Sequence, residues 1–114
     1  MTPDKSGTRH FWQQRVTAIA NVPLVLFLLW FIVSHLGAAR AEVVASVQNP
    51  LNTILLVLSF ASILWHMRLG MEMVLEDYVQ DARLLHGSLL ANKIFTVVVG
   101  MAALYAIVKM SFGS

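Results

Sequence analysis

The sequence predicts an all-α membrane protein with three transmembrane helices. Apolar residues make up 58% of its 114 residues and charged residues only 12%, against about 25% charged in an ordinary soluble domain. A chain this short cannot bury so much apolar surface in one core, because small domains hide the smallest share of their surface. The mean hydropathy of +0.72 points the same way. Three long apolar stretches account for most of the residues, which excludes a free-standing soluble enzyme.

The first stretch, Val16 to Leu36, has 21 residues without a formal charge; a helix needs about 20 to cross a ~30 Å hydrocarbon core. Phe11 and Trp12 precede it as aromatic belt residues, and Pro23, two residues after Asn21, predicts a kink in its inner half. Ala39-Arg40-Ala41 reads as an acceptable signal-peptidase site. The run before it exceeds the 7–15 residues of a signal h-region, so a retained first helix is expected. The second span follows the breaker pair Asn49-Pro50, runs 51–75, and keeps helical character to about Val79. The third, 89–112, carries Lys93 and Lys109 near its ends, where long side chains snorkel to the headgroups. Thr96, Gly100 and Ala103 form a stripe in it that lets another helix approach closely. Residues 1–114 thus read as a single membrane-anchor domain with short loops and tails.

The isoelectric point of about 9.4 invites a nucleic-acid reading, but the net charge is only +2 and the 8 Lys and Arg are dispersed. Lys5, Arg9, Arg15, Arg68, Arg83 and Lys93 fall on the side of the N-terminus, and only Arg40 and Lys109 on the other. This asymmetry predicts a cytoplasmic N-terminus and an outside C-terminus. Cysteine is absent, so the chain offers neither a disulfide nor a thiolate site for an iron–sulfur cluster.

The second span carries the chemistry. At 100° per residue, Ser59, Ser62, His66, Gly70, Met73 and Asp77 lie within about 40° of one line. Such a stripe faces protein or cofactor rather than lipid. His66 lies roughly 22 Å along the axis from Leu51, inside a ~30 Å core; Tyr78 lies roughly 18 Å further, at the wet end. Three roles are open to a buried imidazole: a hydrogen bond between helices, a proton relay, or ligation of haem iron with the second ring nitrogen held by an acceptor. A relay wants further titratable groups at that depth, and the charge-free part of the spans has none. Gly70, one turn away, leaves room for a flat macrocycle.

Read from His66, the sequence is HMRLGMEMVLEDYV, or His-x3-Gly-Met-x2-Val-Leu-x-Asp-Tyr. It resembles the signature of the small cytochrome b anchor subunits of succinate dehydrogenase, and Arg15-x-Thr17-Ala18-Ile19 is similar to a patch at the mouth of their first helix. Length and three spans agree along the whole chain; only the two patches are residue-specific. The resemblance implies that His66 is an axial ligand of haem b, the other ligand coming from a larger anchor subunit. It implies that Tyr78 donates to a ubiquinone carbonyl, with Asp77 beside it and Arg15 near the quinone pocket and haem propionates. The expected partners are that larger cytochrome b subunit, an iron–sulfur subunit and a flavoprotein subunit. The expected place is the bacterial inner membrane rather than the mitochondrial one, and no catalysis is expected from this chain alone. Glu76 stands where some members have threonine, which leaves the local hydrogen bonding open. An anchor of a quinol:fumarate reductase and a non-redox assembly or transport protein are the alternative readings.

His10, His35 and His86 match nothing in that pattern and read as interfacial; His35 would be the residue to suspect if a second haem existed on the outer side. Glu72, Glu76, Asp77 and Asp81 read as a solvated or docking face toward peripheral subunits.

Overall fold

The computed structural model describes residues 3–113, with side chains from Gly7 onward; the Lys5 side chain, counted above among the basic residues, lies outside the described ones. Four helices follow one another: α1 (Pro3–Ser34), α2 (Arg40–Gln48), α3 (Pro50–Tyr78) and α4 (Ala82–Phe112). Of these, α1, α3 and α4 are long and apolar enough to cross a membrane, which makes this a multi-pass membrane protein.

The long helices outrun the apolar stretches. α1 starts thirteen residues before Val16 and α4 seven before Leu89. Hydrophobicity marks where lipid begins, whereas the backbone stays helical until a cap or breaker ends it. Pro3 suits the first turn, where its missing N–H is no loss. α1 runs unbroken through Pro23 and ends in a turn closed by Gly37 at φ +78°, a backbone region that favours glycine. Asn49 caps α3, its side chain accepting from the Leu51 N–H at 3.0 Å, with Pro50 as the first helical residue. Asp81 caps α4 by accepting from Arg83 N at 2.9 Å and Leu84 N at 3.3 Å. The Asn49-Pro50 pair therefore starts a helix as well as ending one.

The loop expected between the first two spans contains α2. Its Val43, Val44 and Val47 turn inward. Val47 is buried with Phe31 of α1, Leu56 of α3 and Ile107 of α4; Phe27, Leu28, Val43, Val57 and Met110 pack around them. This apolar core lies at the α2 end of the bundle.

α1 and α4 pack on opposite sides of α3, with no close approach between their backbones among the described residues. α3 turns Ser59, Ser62, His66 and Gly70 toward α1, and about 180° away turns Thr53, Leu64 and Arg68 toward α4. Both pairs run antiparallel. Against α4, the buried Asn92 donates to the Arg68 carbonyl at 3.1 Å, the Thr53 and Ser111 hydroxyls meet at 3.1 Å, and Gly100 admits Leu64 closely. The small-residue stripe is thus a contact face toward α3, and Asn92, four residues before Thr96, extends it.

A Cβ added at Gly100 would meet Leu64 Cδ1 at 3.4 Å, while one at Gly87 would meet nothing within 4 Å. Gly100→Leu is expected to lower unfolding stability in detergent by about 1–3 kcal/mol through overpacking. Gly87→Ala, in the same helix, is expected to raise it by up to about 1 kcal/mol through helix propensity.

Candidate functional site

The polar stripe of α3 meets a matching polar stripe on α1. Gln14, Thr17, Asn21 and Leu24 recur at alternating spacings of three and four, the interval that keeps one face of a helix against its neighbour. Ser59, fully buried, donates to the Leu55 carbonyl one turn back at 2.6 Å and lies 3.4 Å from the Leu24 carbonyl. Ser62 donates to Asn21 Oδ1 at 2.5 Å. His66 Nδ1 lies 2.9 Å from Thr17 Oγ1. Gly70 lets Gln14 approach to 3.4 Å of where its Cβ would be. The missing side chain at Gly70 thus serves the approach of α1, whereas the sequence suggested room for a macrocycle.

His66 is half-buried, and its hydrogen bonding assigns its tautomer. Thr17 Oγ1 is also 2.8 Å from the Gln13 carbonyl, which only accepts. The hydroxyl has one proton, so the arrangement that satisfies all three groups has Thr17 donating to Gln13 and accepting from His66 Nδ1–H. Nε2 then keeps its lone pair. The ring borders an open groove of about 280 Å³ with Phe11, Gln14, Arg15 and Ala18. Arg15 is exposed on that groove, its guanidinium carbon 5.0 Å from the centre of the Phe11 ring. On the other side of the α1–α3 seam, Trp12, Val16 and Trp65 line an apolar groove with Thr17.

Toward the N-terminal end the two helices leave a cleft of about 510 Å³ lined by Gly7, His10, Phe11, Gln14, Met73, Glu76 and Asp77. Asp77 thus shares a cavity with residues of α1. Tyr78, next in sequence but rotated by 100°, stands outside that cleft and is 81% exposed. The structure brings His66 and Arg15 to one groove and Asp77 to another, with Phe11 and Gln14 bordering both.

Two expectations change. Glu76, Asp77 and Asp81 are exposed, as a solvated face requires, but Glu72 is not, so the four form no single face. Glu72 turns inward, 3.5 Å from His10 Nε2 and 3.4 Å from Arg68 Nη2, Asp81 caps α4, and Glu76 and Asp77 line the cleft. His10, read as interfacial, therefore bridges α1 and α3. His35 also differs from expectation: Nδ1 lies 2.6 Å from the Phe31 carbonyl and Nε2 2.7 Å from Ser46 Oγ. The carbonyl must accept, so Nδ1 carries the proton and Nε2 accepts from Ser46. Both nitrogens are occupied in stapling α2 to the end of α1, which leaves no lone pair for a metal.

Sequence reasoning did not single out Thr17, Gln14 and Asn92 as partners. Thr17 and Gln14 share one face of α1 with Asn21, a polar 3–4 spacing that was the available signal. Among the described residues no group of three or more His, Cys, Asp or Glu is placed to hold a metal ion.

Residues 2–108 match the family described as succinate dehydrogenase/fumarate reductase transmembrane subunit. The chain is 32% identical over 103 residues to the succinate dehydrogenase hydrophobic membrane anchor subunit of Rickettsia bellii, covering 90% of this chain and 82% of that protein. It is 34% identical over 82 residues to the succinate dehydrogenase membrane anchor subunit of Reclinomonas americana, covering 69% and 68%. The corresponding subunit of Paracoccus denitrificans is 26% identical over 112 residues, covering 95% and 83%. No solved structure matches the chain.

The Asn21–Ser62 bond crosses the helix interface in lipid, where such bonds contribute about 0.6–1.7 kcal/mol. A double-mutant cycle with Asn21→Ala and Ser62→Ala, followed by unfolding in detergent, is expected to return a coupling energy in that range. Pairing Asn21→Ala with Gly87→Ala is expected to be additive.

Proposed function

The chain belongs to the succinate dehydrogenase/fumarate reductase transmembrane subunit family, and on that premise we propose that it is the small membrane anchor of a succinate dehydrogenase. In this reading it seats the flavoprotein and iron–sulfur subunits on the membrane and, with a larger cytochrome b subunit, holds haem b and forms the ubiquinone-reduction site. The observation that carries the reading is the state of His66: Nδ1 held by Thr17 and the ring bordering a groove with Nε2 free to ligate iron.

The residues around His66 fit a haem. Ala18 keeps the groove wall low, Phe11 offers an apolar edge, and the exposed Arg15 guanidinium suits propionate carboxylates. The chain supplies one imidazole; the second belongs to the larger subunit. A haem held by two imidazoles transfers single electrons and has no open position for oxygen.

Ubiquinone reduction takes up two protons with two electrons, so the headgroup belongs at the wet end of the stripe. There Tyr78 donates its phenolic hydrogen to a quinone carbonyl at the interface with the larger subunit. Asp77, in the cleft one residue away, orders that end and exchanges protons with water. Most of the basic residues lie toward this same end, which supports a cytoplasmic N-terminus, an outside C-terminus and quinone chemistry on the cytoplasmic face of a bacterial inner membrane.

In the purified complex, His66→Ala is expected to abolish the b-type haem signal in the dithionite-reduced optical spectrum. Haem with unchanged axial ligation in that variant would place the ligand elsewhere. Tyr78→Phe is expected to reduce succinate-to-ubiquinone activity about 10–100-fold, the loss of one hydrogen bond to a charged or charging group. Electron transfer to an artificial acceptor, which bypasses the membrane site, is expected to stay at the parent level.

A further inference from the structure

We infer that Thr17 is a positioning residue for the haem ligand: its hydroxyl accepts the Nδ1 proton of His66, fixes the ring and its tautomer, and strengthens Nε2 as a donor to iron. The inference rests on the reading of His66 as an axial ligand and adds a residue on a different helix.

Three observations carry it. Among the described residues, Thr17 Oγ1 is the one hydrogen-bond partner of the His66 ring, at 2.9 Å across the α1–α3 interface. The hydroxyl is itself oriented by two carbonyls of its own helix, Gln13 at 2.8 Å and Gln14 at 3.1 Å. Its proton is thereby directed back along α1 and its lone pair toward α3. A hydroxyl that donates to a carbonyl becomes a better acceptor, since chained hydrogen bonds polarise one another.

His35 provides the contrast within the same chain. Its Nδ1 is also held by an oxygen, but Ser46 occupies Nε2. The two histidines thus differ in one respect: of the pair, only His66 combines a fixed Nδ1–H with an Nε2 that makes no hydrogen bond among the described residues, in a ring that borders a groove. An acceptor on the distal ring N–H raises the basicity of a ligating imidazole, and removing such a partner typically weakens metal binding about 10–100-fold. A more basic ligand favours ferric over ferrous iron, so loss of the acceptor raises the haem midpoint potential.

The test uses the complete four-subunit complex and four variants. Thr17→Val is expected to raise the haem midpoint potential, to shift the g-values of the oxidised haem in electron paramagnetic resonance, and to speed haem loss about 10–100-fold. Thr17→Ser, which keeps the hydroxyl, is expected to restore the parent values. Ser62→Ala removes the neighbouring interhelical bond without touching His66, so it is expected to loosen packing and leave the potential unmoved. Thr17→Cys keeps the size of the side chain with a weaker acceptor and is expected to lie between Ser and Val, which preserves the comparison if the Val complex does not assemble. Equal potentials for the Ser and Cys variants, or a Ser62→Ala shift as large as that of Thr17→Val, would overturn the positioning role. Haem that survives His66→Ala with unchanged ligation would instead overturn the ligand reading itself, so the two failures are distinguishable.

Discussion

Lipid tails are as apolar as leucine, so the hydrophobic effect does not draw helices together inside a membrane. Everything that joins α1 to α3 follows from that constraint. Away from the apolar cluster at the α2 end, their contact is made by hydroxyls, two amides, an imidazole and a glycine: Ser59, Ser62 with Asn21, His66 with Thr17, and Gly70 with Gln14. The Ser59 and Ser62 hydroxyls, the Asn21 amide oxygen and His66 Nδ1 would be expensive facing hydrocarbon and are each given a partner, whereas Gln14 Oε1 is buried without one among the described residues. The large apolar side chains do the reverse. Ile19, Val22, Leu26, Ile94 and Val98 are all more than half exposed, as suits residues whose solvent is lipid or a neighbouring subunit.

The same seam that holds the helices also prepares His66. A hydrogen bond that only glued α1 to α3 could have used either ring nitrogen. Thr17 takes Nδ1, and the ring borders the groove with Arg15 and Ala18. Packing and the proposed ligation of haem therefore share one interaction. The far end of the bundle is built differently: α2 brings Val47 into an apolar cluster with Phe31, Leu56 and Ile107, and His35 uses both nitrogens to keep α2 in place. One end is closed by a core, while the other keeps the cleft of Gln14, Glu76 and Asp77.

Much of this was legible in the residue order. Periodicity of 3.6 placed Ser59, Ser62, His66, Gly70, Met73 and Asp77 on one face, and the structure turns that face to α1. The Asn49-Pro50 break and the length of the apolar runs located the spans. Helix ends were less legible, because α1 and α4 continue through polar residues where hydropathy carries no signal; α2 is nine residues long, too short for a span and hidden in an apparent loop. The acidic cluster misled for a related reason. Glu72, Asp77 and Asp81 are near in sequence, but α3 rotates Glu72 toward His10 and Arg68 and Asp77 toward the cleft, while Asp81 lies beyond α3 and caps α4.

By itself, the sequence determined that the chain lives in a membrane, crosses it with three helices, and carries a stripe of polar and titratable groups on the second. Those properties follow from composition and local periodicity, which need no knowledge of neighbours. Only the tertiary structure decided that α3 stands between α1 and α4, that Gly70 admits Gln14, that His10 reaches Glu72, and that Thr17 meets Nδ1 of His66. Each depends on the register between residues some 50 to 60 positions apart. Sliding one helix by a single residue turns a side chain by 100°, so which groups meet is set by packing and not by order along the chain.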